Sequence, residues 1–180
     1  MLLSPDILSD PSLSTYREQI VEYLLISELL QDGWLRRRQR IDVLRADVDA
    51  AGYDLVLECG GVLRHVQLKS SVKGGKTRTQ KIHVDLAGYA CGCVVWVILK
   101  RVILKKTGER RIRLRFRVMG GGPRQALPDL SCFRTAKHTK HNGKGIKTER
   151  SKHRIVPQRE FTELASIAEL SDWLFGAPLE

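Results

Sequence analysis

The sequence has no long apolar run: none of its hydrophobic stretches approaches the ~20 residues that a membrane-spanning helix requires. No membrane association is therefore expected. The opening segment "MLLSPDILSDP" has no basic n-region and no apolar h-region, so no secretory leader is expected, and the expected location is cytoplasmic. Acidic residues are in deficit, with 20 Asp and Glu against 31 Lys and Arg, a net charge of +11 and a pI near 9.8. That balance favours polyanionic partners. Aromatics are scarce at 6%, yet an apolar content of 42% over 180 residues suffices for a globular core. Cysteine is limited to Cys59, Cys91, Cys93 and Cys132, expected to be free thiols in a reducing compartment. Cys91-Gly-Cys93 lacks the spacing of a redox CxxC, and Cys132, His138, His141 and His153 match no zinc spacing.

The charge that is present is unevenly placed. Residues 1–35 carry mostly acids (Asp6, Asp10, Glu18, Glu22, Glu28 and Asp32). Basic blocks follow at Arg36–Arg40, Lys100–Arg117 and Arg134–Arg159, and the last twenty residues turn acidic again. Three blocks of one sign point to a surface that faces nucleic acid, the plainer alternative being a solvated basic face. DNA is the expected partner, in a nucleoid-associated setting, and charge does not separate it from RNA.

"STYREQIVEYLLISELLQDG" predicts a helix with Tyr16, Ile20, Tyr23/Leu24, Ser27 and Leu30 at helical spacing. Thr15 and Glu18 read as a capping box, and Gly33 as the stop. A short strand is expected near Ile41–Leu44. "YDLVLE", Gly60-Gly61 and "VLRHVQLKSS" predict a β-hairpin in which His65, Gln67 and Lys69 share one face. "SVKGGKTRTQK" reads as a polar loop, and "VDLAGYA" as a short helix or irregular segment. "CVVWVILK" reads as a buried strand. In "RRIRLRFRV" the alternation sends Ile112, Leu114, Phe116 and Val118 inward and Arg111, Arg113, Arg115 and Arg117 outward. Residues 134–159 are basic, Gly-punctuated and without period. Ser166 and Glu169 cap a last helix ended by Gly176. Trp34 and Trp96 are both expected in the core. The order predicts an α/β or α+β fold: a central mixed sheet with helices on its faces.

The hairpin carries the chemistry. Folding at Gly60-Gly61 brings Asp54 opposite about Gln67, so Asp54, Gln67 and Lys69 should converge at one sheet edge. Asp54 suits Mg²⁺, with the Gln67 and Leu68 carbonyl oxygens as weaker ligands. Lys69 can stabilise charge on a phosphate oxygen or orient an attacking water. Such a set suits metal-assisted phosphodiester hydrolysis.

In these residues, "GYDLVLECGGVLRHVQLKSS" resembles the core motif of the PD-(D/E)XK, or restriction endonuclease-like, nucleases. The family pattern is an aspartate, a hairpin, then acid-x-Lys. Here it reads Asp54, twelve residues, then Gln67-Leu68-Lys69. Glutamine at the acid position, with Gly52-Tyr53-Asp54 before it, is similar to the Mrr-like branch. Glu22 ahead of Gly33-Trp34 is similar in placement to the first-helix glutamate of archaeal-type Holliday junction resolvases, with Glu18 as a weaker substitute. The resemblance covers roughly residues 15–100. It implies an α/β, restriction endonuclease-like fold and a DNA endonuclease using Mg²⁺, or Mn²⁺ in its place. It also implies Glu22, Asp54, Gln67 and Lys69 as catalytic residues, with Glu22, Asp54, Gln67 and Leu68 on the metal. A homodimer or higher homo-oligomer is expected from double-strand cutters of this kind. An amide at position 67 removes one negative charge from the metal cage. If Glu22 faces away from Asp54, the reading becomes a non-catalytic DNA- or RNA-binding module on the same fold.

The expected organisation is one domain over 1–180, with a core at about 12–120, a basic excursion at about 133–159 and a C-terminal helix at about 166–176. The expected nucleic-acid contacts are Arg111, Arg113, Arg115, Arg134, Lys137, Lys140, Lys144 and Lys147.

Overall fold

Two hydrophobic clusters pack on opposite faces of one mixed sheet. The computed structural model describes residues 7–46, 52–137 and 149–178. In chain order the elements are α1 (Ser14–Asp32), β1 (Ile41–Arg45), β2 (Leu55–Cys59), β3 (Val62–Val72), β4 (Thr79–His83), β5 (Gly92–Ile103), β6 (Arg110–Met119), β7 (Thr135–Lys137), β8 (Glu149–Pro157), β9 (Thr162–Leu164) and α2 (Ile167–Phe175). The central sheet has six strands in the order β1-β2-β3-β5-β6-β9. Only the β3/β5 pair is parallel. Parallel neighbours need a crossover, and here it carries β4 and a 3₁₀ turn at Val84–Gly88.

The mixed sheet and the α/β class agree with expectation; the placement of the helices does not. Both α1 and α2 lie on one face, where Val21, Leu25, Leu29, Leu170 and Leu174 join Leu55, Val66, Val95 and Phe116. The other face is covered by a second sheet, β4-β8-β7. There Ile82, Val156, Leu86 and Phe161 meet Val94, Trp96, Ile98 and Met119. The expected irregular excursion thus contains a nine-residue strand, β8, paired antiparallel with β4 and β7.

Helix α1 differs in detail. Its N-cap is Leu13, with no side-chain cap, so Thr15 and Glu18 form no capping box. Gly33 does not end the helix. It keeps right-handed helical angles and leads into a π-helical turn, Gly33–Arg37, that stops at Arg38 in the left-handed region. Glycine is needed at 33 for closeness, since a Cβ there would lie 2.9 Å from both the Gln39 carbonyl oxygen and Ile41 Cγ1. The buried face of α1 is Val21, Leu25, Ile26 and Leu29, and Tyr16, Tyr23 and Leu30 face solvent. Trp34 is 80% exposed, against expectation, while Trp96 is fully buried.

The last helix follows its sequence signals. The Glu169 N–H donates to Ser166 Oγ at 3.2 Å, and Glu169 Oε2 accepts the Ala165 N–H at 2.9 Å. Asp172 binds Arg36 and Arg37 at 2.8 and 2.9 Å, tying α2 to the end of α1. Buried Arg64 of β3 donates to the Gly121 carbonyl at 2.9 Å and lies 5.0 Å over the Trp173 ring. Among the described residues no helix is long and apolar enough to cross a membrane. All four cysteines are free thiols.

Candidate functional site

Strand β3 is longer than its hairpin partner, and this mismatch makes the site. The register pairs Leu55 with Val66, so Asp54, just before β2, stands level with Gln67 as the hairpin predicts. Beyond that point β3 has β5 on one side only, paired as far as Val72 with Leu99. The exposed edge begins at Leu68. Its N–H, having no β2 strand to face, donates to Asp54 Oδ2 at 2.6 Å. In an extended strand a residue's N–H and C=O point the same way, so the Leu68 carbonyl is turned toward that edge.

A cleft of about 480 Å³ opens there. It is bordered by Glu18 and Glu22 of α1, by Asp54, by Leu68, Lys69 and Ser70 of β3, and by Gln80 of β4. Glu22 and Asp54 therefore face one space. Glu22 Oε1 accepts from Arg45 Nε, and the Arg45 guanidinium lies 5.3 Å over the Tyr23 ring.

Gln67 is not in this cleft. Its side chain is 2% exposed, and its Oε1 accepts the His83 N–H at 3.1 Å. A backbone N–H can only donate, so the oxygen expected as a metal ligand is directed into the contact between the two sheets. The expectation that Gln67 joins the site through its carbonyl is corrected on this point.

Gln80 is the residue that sequence reasoning missed. It borders the cleft from the second sheet, and its buried Nε2 has no hydrogen-bond partner among the described residues. The segment "TRTQK" has no signal that would place it against β3; only the crossover does so.

The oxygen-rich donor set suits a hard cation such as Mg²⁺. It suits one ion better than two, because Glu22 is held by Arg45 and Gln67 is turned away. Among the described residues, no three His, Cys, Asp or Glu side chains converge closely enough to hold a metal ion.

His65 shares the Gln67 face, as expected, and is packed. Its ring stacks on Tyr89 at 4.4 Å, meets the edge of Tyr53 at 4.8 Å, and has Nδ1 3.2 Å from Cys91 Sγ. Burial holds its pKa below the ordinary imidazole value.

A second cleft of about 620 Å³ lies on the same sheet face as Lys69. Lys69 pairs across to Trp96 and Trp96 to Arg117; Ser71, Ile98 and Arg115 form the next row. Two strand spacings separate Lys69 from Arg117, about 9.6 Å. The cleft is bordered by Lys73, Gly74, Gly75, Arg78, Arg115 and Arg117, with Glu163 on the far side. Arg117 lies 5.3 Å over the Trp96 ring and 3.4 Å from Glu163. The alternation on β6 is as expected: Leu114, Phe116 and Val118 are buried. Arg111 is exposed and paired with Glu109 at 2.9 Å, and Arg113 is exposed. Arg134 and Lys137 are exposed beside and on β7, the strand of the second sheet farthest from the cleft-lining β4. Lys140, Lys144 and Lys147 lie outside the described residues, as do His138 and His141 of the unmatched zinc spacing. His153 packs edge-on against His83 at 4.8 Å.

Comparison with known proteins finds no matching family model, no matching curated protein and no matching solved structure.

Proposed function

We propose that the chain is a restriction endonuclease-like domain that hydrolyses DNA phosphodiester bonds with a divalent metal. The observation that carries this reading is the shared cleft: Glu22, Asp54, the Leu68 edge and Lys69 come from three elements and border one space. Asp54 and Glu22 would hold the ion, with the Leu68 carbonyl as a further oxygen and water completing the shell. Bound Mg²⁺, or Mn²⁺ in its place, would lower the pKa of a bound water and neutralise charge on the scissile phosphate. Lys69 lies beside Asp54 and stabilises the phosphate oxygens as negative charge builds. Gln80 of β4 closes one side of the same space. Gln67 acts as a positioning residue, holding β4 and hence Gln80 over the edge of β3. The second cleft extends the cationic surface from Lys69 and would carry the backbone beyond the cut, joining Lys73 to Arg115 and Arg117 of the β6 arginine stripe.

The test is a nuclease assay on supercoiled, linear and four-way-junction DNA, with Mg²⁺, Mn²⁺ or chelator, for the parent chain and for Asp54→Ala and Lys69→Ala. Metal-dependent cutting lost in both variants is the expected result. A second reading, a nucleic-acid-binding module without catalysis, is favoured by the engagement of Glu22 with Arg45 and of Gln67 with His83. Binding without cutting on any of the substrates, unchanged in both variants, would select it. Competition between duplex DNA and RNA separates the two nucleic acids.

A further inference from the structure

Helix α1 carries two apolar faces; one is buried against the sheet, and on the other, among the described residues, the Arg45 guanidinium lies over Tyr23. Val21, Leu25, Ile26 and Leu29 are buried against the sheet. On the opposite side Tyr16 is 62% exposed, Tyr23 61%, Leu30 43% and Trp34 80%. With Ile20 and Ser27 between them, these positions form the series 16, 20, 23, 27, 30, 34. From Tyr16 to Leu30 the steps alternate four and three, the 3.5-residue repeat of a helix that packs along another helix, and Trp34 continues the stripe from the π-helical turn Gly33–Arg37.

The series also reads the same in both directions. Run antiparallel to a copy of itself, it layers Tyr16 with Trp34, Ile20 with Leu30 and Tyr23 with Ser27, each large ring opposite a different residue. A two-fold axis passes level with Leu25, the isologous arrangement expected of a homodimer. The area is adequate. At these exposures the three aromatic rings present about 400 Å² per copy. With Leu30 and Ile20 the pair reaches about 1,000 Å², the lower bound for a specific interface.

We propose that the outward stripe of α1 is the seam of a two-fold homodimer in which the α1 helices of two copies pack antiparallel. The seam is independent of the nuclease reading, and its test contains no nucleic acid. Sedimentation velocity on the full chain, from micromolar to hundreds of micromolar, is expected to show a monomer–dimer equilibrium. Leu30→Glu and Trp34→Glu are each expected to weaken it by about tenfold or more, with a melting temperature unchanged at protein concentrations where the parent is monomeric, because neither side chain belongs to the core. If either glutamate lowers the melting temperature, Tyr16→Ser reads the same seam from its other end. Orientation is read by spin labels at Gln31→Cys in a Cys91→Ser, Cys132→Ser background. Antiparallel copies offset the two labels by about 18 Å along the helix axis; parallel copies place them level, about 10 Å apart. A chain monomeric at every concentration, a dimer indifferent to all three substitutions, or level labels would overturn the proposal.

Discussion

Gln67 Oε1 accepts the backbone N–H of His83 at 3.1 Å, and this bond joins the two sheets directly behind the candidate site. Its donor is a β4 backbone group that the β8 ladder leaves for another partner. Gln67→Leu keeps most of the volume but leaves that N–H buried and unsatisfied, at a cost of about 1–3 kcal/mol. The expected outcome is a lower urea midpoint with little change in the slope. A midpoint equal to that of the parent would mean that the bond does not hold β4 in place.

Gly52 belongs to the same contact. Its φ is +79°, and a Cβ there would lie 2.7 Å from His83 Nδ1. The chain passes over the imidazole on its way to Asp54, and only glycine allows that approach. Gly52→Ala combines a left-handed alanine, about 1–2 kcal/mol, with a clash that pushes β4 away from β3. It is expected to destabilise the fold and, at temperatures where the fold persists, to reduce any activity that depends on Asp54. Circular dichroism melts with cleavage assays at low temperature separate the two effects.

Much of the candidate site was legible because it is local. Asp54, Leu68 and Lys69 belong to one hairpin, and the two-glycine turn fixes the register that brings them together. The alternation on β6 is likewise a property of one strand. What was not legible depends on distant partners. Gln67 reads as a cleft residue until β4 is known to cross it, and nothing in "TRTQK" announces that crossing. Residues 149–157 read as irregular because their pairing is with β4, about seventy residues earlier in the sequence. Helix α1 misleads for a different reason. It has apolar residues on opposite sides, and the more aromatic stripe, Tyr16 to Leu30, is the one left in solvent. Periodicity identifies a helix here but does not choose which of two apolar faces meets the sheet.

Arg45 restrains the acid that α1 contributes. Its Nε donates to Glu22 Oε1, and a cation entering the cleft must compete with that guanidinium. Arg45→Ala removes the competitor without touching the core, since Arg45 is exposed. The expected result is a few-fold tighter apparent affinity for Mg²⁺ by isothermal titration, abolished by adding Glu22→Gln. Unchanged or weaker binding in Arg45→Ala would show that Glu22 does not reach the ion.

Burial of His65 against Tyr53 and Tyr89 predicts an acid-sensitive step in stability. Its pKa is lowered in the folded chain, chiefly by desolvation of the charged form. On acidification the unfolded chain therefore takes up this proton first. The contribution of neutral His65 is complete above about pH 6.5 and is lost as the pH falls from there through the folded value. His65→Gln should flatten this part of the profile, so that urea midpoints of variant and parent diverge between about pH 7.5 and pH 5.5. Parallel profiles would assign the acid sensitivity to another group.

The second cleft makes a prediction that separates grip from chemistry. Lys73 and Arg115 border it without lining the first cleft, so they lie outside the Asp54–Lys69 group. If the cleft carries a nucleic-acid backbone, each cation contributes through counterion release, a term that is insensitive to sequence and sensitive to salt. Lys73→Glu and Arg115→Glu should each weaken binding uniformly across unrelated sequences. A neutral substitution, Arg115→Gln, should reduce the slope of log K against log salt by about one. Lys69→Ala should instead spare most of the affinity while removing cleavage. The readout is fluorescence anisotropy on short duplexes over a salt series, followed by cleavage at saturating protein. If affinity and slope stay at the parent values in the Lys73 and Arg115 variants, the backbone does not run through this cleft, and the exposed β7 side of the second sheet, with Arg134 and Lys137, becomes the surface to test next.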